Sequence, residues 1–147
     1  IEGTTDFIFG PSTALFENCE IRSKTNSYVT AASTPEDIAV GYVFKNCKLT
    51  ANPGVDKVYL GRPWRPYAAT VFINCEMGKH IRPEGWHNWG KEENEKTARY
   101  AEYNSTGEGA AAAGRVKWAK QLTKKEAAQY DDLNYIYRMC CVWKPEN

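Results

Sequence analysis

The sequence has little of what most catalytic and nucleic-acid-binding chains display. It holds two histidines, neither beside a Ser or Cys in an elbow-type motif, and it contains no GxSxG, no HExxH and no phosphate-binding loop. Serine–histidine and zinc-protease chemistry are therefore unsupported, and a histidine in the tryptophan-rich stretch around His87 reads as a hydrogen-bonding packing residue. No run of five like charges occurs, and 19 basic side chains nearly cancel 18 acidic ones. A surface that holds a polyanion by bulk charge is thus excluded, and neither nucleic acid nor a membrane is expected as a partner. No segment approaches the roughly eighteen consecutive apolar residues that span a bilayer, and no basic-then-apolar leader opens the chain. The five cysteines lack the CxxC or paired-histidine spacing of a zinc site, so no metal is expected. Cys140 and Cys141 stand apart and carry no readable role.

What is present is a repeat. ALFENCEI from Ala14, YVFKNCKL from Tyr42 and TVFINCEM from Thr70 align without gaps, and Phe16, Phe44 and Phe72 recur at one constant interval. Asn18, Asn46 and Asn74 keep the same interval, as do Cys19, Cys47 and Cys75. Tyr100 and Tyr103 in ARYAEYN are read as a degenerate fourth copy that continues the Phe and Cys columns. A fixed period of this length means one supersecondary unit stacked on itself. Each copy is rich in β-branched and aromatic residues and is bounded by polar residues, Gly or Pro, so the unit is strand and turn, one coil of a β-solenoid. At 147 residues and 42% hydrophobic content, residues 1–147 form a single domain with a sizeable core.

Stacked parallel strands lie about 4.8 Å apart, so equivalent side chains form ladders, Phe over Phe and Cys over Cys. Three cysteines in a column cannot all pair, and a ladder of reduced thiols behaving as small hydrophobes is expected. The Asn column is expected to hydrogen-bond between coils at a bend. Residues 106–117, rich in Gly and Ala, read as an irregular, closely packed crossing. Thr123 and Glu126 form a capping box that predicts a short helix from Lys124 to Asp131, placed to cap the last coil. The N-terminal edge has no such cover, and the chain opens inside a strand, so further coils are expected upstream.

Two segments outside the repeat carry chemistry. GTTDFIFG, residues 3–10, embeds an acid in an apolar strand, where Asp is rare and needs a partner. YLGRPW, residues 59–64, sets Arg62 between a glycine that allows close backbone approach and a proline that fixes the chain, with Trp64 just beyond. The interval from Asp6 to Arg62 is twice that of the repeat, which places the two at equivalent points two coils apart. Two rungs are roughly 10 Å, a gap an arginine can bridge to make orienting, bidentate hydrogen bonds with a carboxylate. Spacing alone leaves two readings open, a shared site and a structural ion pair that braces the sheet.

GTTDFIFG, YLGRPW, the NC repeats, HIRPEGWHNW, EYNSTGEGA and RVKWAKQLTKKEA together resemble the pectin methylesterase family over nearly the whole chain. The resemblance implies an all-β, right-handed parallel β-helix with a short C-terminal capping helix, represented here by its C-terminal coils. It implies hydrolysis of the methyl esters of galacturonate in pectin, with no cofactor and no metal, by an enzyme acting outside the cytoplasm, extracellular or periplasmic. Asp6 matches the family's nucleophile, which forms an aspartyl acyl-enzyme, and Arg62 the arginine that hydrogen-bonds it. Trp64 matches the aromatic lining the subsite, and Phe9 and Met77 fall where apolar groups surround the ester methyl. Strand alternation sets Phe9 opposite Asp6, so it can share the cleft only if Gly10 bends the strand. Trp86 and Trp89 lie in the loop matching GWxxW, where sugar stacking and loop anchoring are both open. The family's acid, an Asp in a QDTL-like motif, and its oxyanion glutamines have no counterpart in these residues, so the chain alone is expected to be inactive or nearly so. The competing reading is a non-catalytic, pectin-binding or structural β-solenoid. A β-helical lyase or glycosidase is weakly supported, since no carboxylate cluster or second acid is identifiable.

Overall fold

The alternation of short strands and turns in the repeat winds the chain into a coil. The computed structural model of the protein describes residues 1–138. In chain order its elements are β1 (Glu2–Gly3), β2 (Ile8–Gly10), β3 (Ala14–Glu17), β4 (Glu20–Ser23), β5 (Tyr28–Ala32) and β6 (Tyr42–Lys45). They continue as β7 (Lys48–Ala51), β8 (Tyr59–Gly61), β9 (Ala69–Ile73), β10 (Glu76–Met77), α1 (Asn94–Thr97), β11 (Arg99–Tyr103), β12 (Lys120–Gln121), α2 (Lys124–Ala128) and α3 (Leu133–Arg138). Strands of successive coils stack in parallel into three sheets, β1-β4-β7-β10, β2-β5-β8 and β3-β6-β9-β11-β12. The architecture is a parallel β-helix. Three coils carry a strand on each face, and in the fourth the middle face is reduced to bridges at Ile81 and Trp86. Cys140 and Cys141 lie outside the described residues.

The in-register repeat builds the core column. Phe16, Phe44 and Phe72 stack face to face, with centroids 4.7 and 4.5 Å apart and planes within 10°. Phe44 and Phe72, fully buried, each contribute about 2–3 kcal/mol by leaving water, and Phe16 is half-buried. Cys47 and Cys75 are buried and Cys19 half-buried, all three as free thiols that donate to backbone carbonyls. The Cys75 thiol is held protonated by its contact with the Cys47 sulfur and by burial.

The fourth copy does not keep the interval of the first three. Thr70 pairs with Tyr100, Phe72 with Glu102 and Ile73 with Tyr103, whereas the constant interval sets Tyr100 level with Phe72, so this coil is longer than expected. The column that reads Phe, Phe, Phe therefore continues in register with Glu102, and the Asn column continues at Asn104. The aromatic stack is extended by other residues: Trp86, 5.9 Å from Phe72, then Tyr100, 4.2 Å from Trp86.

The Asn column serves a backbone need rather than the amide ladder expected of it. Asn18, Asn46, Asn74 and Asn104 have φ of 55°, 54°, 52° and 52°, a left-handed conformation that turns the chain from one sheet to the next. Among non-Gly residues, those with short polar side chains visit this region most readily. Among the described residues one amide rung forms, Asn104 Nδ2 donating to Asn74 Oδ1 at 2.9 Å. Asn46 is solvent-exposed, so its side chain can be removed without making a cavity. Asn46→Ala is expected to cost about 1 kcal/mol through left-handed strain, and Asn46→Gly to be near neutral. Urea midpoints of the two variants check this.

The predicted helix forms with its full capping box, Thr123 accepting from the Glu126 N–H while the Glu126 carboxylate accepts from Thr123 N–H. It is α-helical over Lys124–Ala128 and continues as a 3₁₀ turn over Gln129–Asp131. It directly follows the last strand, to which the Lys120–Glu126 ion pair ties it. The tail lies over the outer face of the third sheet, where Ile136, Tyr130 and Tyr135 pack with Val43, Val71 and Ile73. Lys45 fixes it by donating to Tyr130 O at 3.2 Å and to Asp131 at 2.9 Å. The strands YVFK and ATVFI are apolar on both faces because both faces are covered.

Candidate active site

The site is built on the middle sheet, β2-β5-β8, where both coil lengths depart from the period of the repeat. Ile8 pairs with Thr30 across a coil shorter than that period, and Tyr28 with Tyr59 across one longer than it. The residue level with Asp6 in the next coil is Tyr28, whose carbonyl accepts the Asp6 N–H at 2.8 Å, and in the coil after it is Tyr59. Asp6 and Arg62 are thus not at equivalent points; Arg62 lies further along its coil than Tyr59. The two nevertheless meet. Arg62 Nε donates to Asp6 Oδ1 at 3.1 Å and its terminal nitrogen to Oδ2 at 2.7 Å, a bidentate pair with both side chains about one-fifth exposed.

Local backbone explains how the acid faces outward. Asp6 has φ of +48°, so the chain bends just before β2 begins. That bend resets the strand alternation and accounts for Phe9 sharing Asp6's face; the bend expected at Gly10 is also present, at φ +120°, but follows Phe9. Ile8 then points into the core while Phe9 stays 64% exposed. On the partner segment, Gly61 has no room for a side chain: a Cβ there would lie 2.1 Å from Thr30 Oγ and 3.2 Å from the Trp86 ring. The strand is thereby pressed against its neighbours just before Arg62 leaves it. Trp64 follows, 42% exposed, and meets Phe9 edge to face with centroids 5.9 Å apart. Asp6 pairs with Arg62 and Phe9 packs on Trp64, so acid, arginine and two exposed aromatic rings share one open face.

The structure does not bring Met77 and Trp86 to this face. Met77 is wholly buried on the inward side of β10, in register with Leu49, with an Arg115 nitrogen 3.5 Å from its sulfur. Trp86 is 1% exposed and occupies the core aromatic column. Both are apolar groups at inward positions, and neither can touch a ligand on the outside of the coil.

Three residues surround the pair: Tyr28 and His87, which no sequence signal ties to it, and Trp89, marked only by the GWxxW resemblance. The Arg62 guanidinium carbon lies 3.9 Å from the centre of the Tyr28 ring and 3.8 Å from that of Trp89, a ring on either side. Trp89 itself is left-handed, with φ of +62°, and its N–H donates to His87 Nδ1 at 3.0 Å. His87 packs edge-on against Tyr28 and Tyr59 at 5.6 and 5.2 Å. Burial, with the charges of Arg62 and Arg82, holds His87 below the usual histidine range, so the neutral ring is favoured. Beyond Trp89 a cleft opens, lined by Trp64, Arg65, Trp89, Lys91 and Glu93. Tyr28 is hidden because the coil lengths of this sheet differ from the period of the repeat.

The carboxylate–arginine pair and the two exposed aromatic rings thus stand on one face of a parallel β-helix. The Pectinesterase family model matches residues 1–138, and the chain belongs to that family. It is 44% identical over 137 residues to Pectinesterase 31 of Arabidopsis thaliana, a match covering 92% of this chain and 43% of that protein. Pectinesterase QRT1 of the same plant is 36% identical over 140 residues, covering 93% of this chain and 36% of the relative. Among solved structures, the pectin methylesterase from carrot superposes with a TM-score of 0.83 at 28% identity, over 97% of this chain and 51% of that one. A pectin methylesterase in complex with a hexasaccharide gives a TM-score of 0.75 at 30% identity, over 99% of this chain and 50% of the other. The chain thus spans about half or less of the length of the relatives it matches.

Proposed function

We propose that these residues carry the nucleophile of an esterase acting on methylesterified homogalacturonan in pectin. The observation that supports it is Asp6, set on an outward left-handed bend, held bidentately by Arg62 and flanked by the exposed Phe9 and Trp64. A brace for the sheet would need neither the open face nor the two uncovered rings. In the proposed reaction an Asp6 carboxylate oxygen attacks the ester carbonyl carbon, and the carbon–oxygen bond to the methoxy group breaks. The methoxide takes a proton and leaves as methanol. The anhydride so formed on Asp6 is cleaved by water, releasing galacturonate and restoring the carboxylate. Arg62 fixes which carboxylate lone pair faces the ester, and Trp64 with Phe9 offers apolar faces to sugar rings. The polymeric substrate places the reaction outside the cytoplasm, extracellular or periplasmic.

The same reaction needs an acid for the methoxide and donors for the oxyanion. Among the described residues, the side-chain hydrogen bonds and the ion pair of Asp6 come from Arg62. The complete polypeptide that carries these residues is therefore expected to release methanol from esterified pectin, and residues 1–147 alone to stay at background. Methanol assays on both check this. Turnover by residues 1–147 at the rate of the complete protein contradicts the division of labour, and pectin binding without methanol from the complete protein favours the non-catalytic solenoid.

A further inference from the structure

The Asp6–Arg62 pair rests on a support outside its own hydrogen bonds. The Arg62 guanidinium is set between Tyr28 and Trp89. Tyr28 is fixed by the sheet and by its stack on Tyr59, 5.2 Å away with planes within 10°. Trp89 has no strand to hold it: it lies in the loop after the Trp86 bridge, at a left-handed φ that disfavours a bulky side chain. What opposes that strain is the hydrogen bond from Trp89 N–H to His87 Nδ1, two residues back. The turn repeats one residue later, where Gly90 N–H donates to Asn88 Oδ1 at 2.8 Å. Only an imidazole whose Nδ1 carries no proton can accept that bond. The groups facing the His87 ring are Tyr28 and Tyr59 from the sheet and the cations Arg62 and Arg82, so no carboxylate favours its protonated form.

We propose that neutral His87 is a positioning residue for the esterase site: by accepting the Trp89 N–H it sets the indole against Arg62, and protonation of its ring withdraws that support. The proposal rests on the esterase reading but has a consequence independent of turnover. As pH falls through the His87 pKa, which burial and the charges of Arg62 and Arg82 hold below the ordinary histidine range, a proton on Nδ1 removes the acceptor, and the new charge faces the two arginines. The indole then leaves Arg62, and the carboxylate loses its fixed orientation.

The test uses the complete polypeptide. His87→Asn keeps an acceptor two residues before Trp89 N–H, as Asn88 already does for Gly90, yet cannot titrate. It is expected to keep near-neutral methanol release while its acid limb moves to lower pH. His87→Ala is expected to lower kcat about ten- to a hundredfold at every pH, with KM changed less, because a displaced arginine misorients the nucleophile. Arg62 proton resonances, shifted upfield by the two rings, are expected to lose that shift as His87 titrates in the wild type and to hold it in His87→Asn. An unchanged acid limb in His87→Asn, or Arg62 resonances indifferent to the titration of His87, overturns the proposal. Absence of methanol from the wild type at all pH values counts against the esterase reading and leaves the resonance measurement to decide on His87.

Discussion

Asp6→Asn, made in the complete polypeptide, is expected to lower methanol release from esterified pectin by about 10⁴-fold or more while leaving fold and pectin binding in place. The substitution changes almost nothing except nucleophilicity. Asn is as tolerant as Asp of the left-handed backbone that Asp6 adopts at φ +48°. Its amide oxygen can still accept one Arg62 N–H, while its NH₂ opposes the second donor, so the bidentate pair is reduced to a single bond. An amide oxygen does not form the anhydride, and the route through an acyl-enzyme closes. The check is a methanol assay beside a thermal melt. A variant that keeps its melting temperature and also keeps activity within a few-fold of wild type removes Asp6 from its role.

Arg115→Ala is expected to be the most destabilising single change in the scaffold, at about 3–5 kcal/mol. The reason begins with register. Glu102 pairs with Phe72, so a carboxylate occupies an inward position of a column that is phenylalanine in the three preceding coils, and its side chain is 3% exposed. Arg115 comes from the C-terminal crossing to meet it, Nε to Oε2 at 2.8 Å and a terminal nitrogen to Oε1 at 3.2 Å. Its remaining donors reach the carbonyls of Pro83 at 3.1 Å, Arg82 at 3.3 Å and Gly109 at 2.7 Å. One guanidinium thus ties the fourth coil to two loops. Removing it leaves a buried carboxylate with no cation and takes the donor from the carbonyls of Pro83 and Gly109, while Arg82 O keeps the Gly85 N–H. Replacing both partners, as Glu102→Leu with Arg115→Met, is expected to recover part of the loss because the buried charges go together. Denaturant midpoints of the single and double variants measure the difference. A loss below about 1 kcal/mol for Arg115→Ala means the pair contributes little.

The coil is legible in the sequence because the repeated strands are stacked in register, so Phe16, Phe44 and Phe72 recur at one interval along the chain. The sequence misleads where coils change length. The third sheet lengthens between Phe72 and Glu102, and in the middle sheet a short coil from Ile8 to Thr30 is followed by a long one from Tyr28 to Tyr59. Spacing therefore points to the Asp6–Arg62 pair through an equivalence that the register does not have; the pair forms because an arginine side chain spans the remaining offset. Motif position draws Met77 and Trp86 to the site, whereas inward strand direction and the core aromatic stack decide their place. The support from Tyr28, Trp89 and His87 is hidden because stacking on a guanidinium leaves no spacing signature. The helical cover has a readable sign, since Val43 beside Phe44 and Val71 beside Phe72 break the alternation of a one-sided sheet.

The measurement closest to the central proposal is chemical capture at Asp6. The complete enzyme turns over esterified pectin in the presence of hydroxylamine, and the peptide containing Asp6 is then mapped by mass. A carboxylate that becomes an anhydride is open to attack at its own carbonyl. A hydroxamate at Asp6 is therefore expected, accumulating only with esterified pectin and absent from de-esterified pectin. Methanol released through many turnovers with Asp6 unmodified, and at an undiminished rate in Asp6→Asn, contradicts a nucleophile at this position.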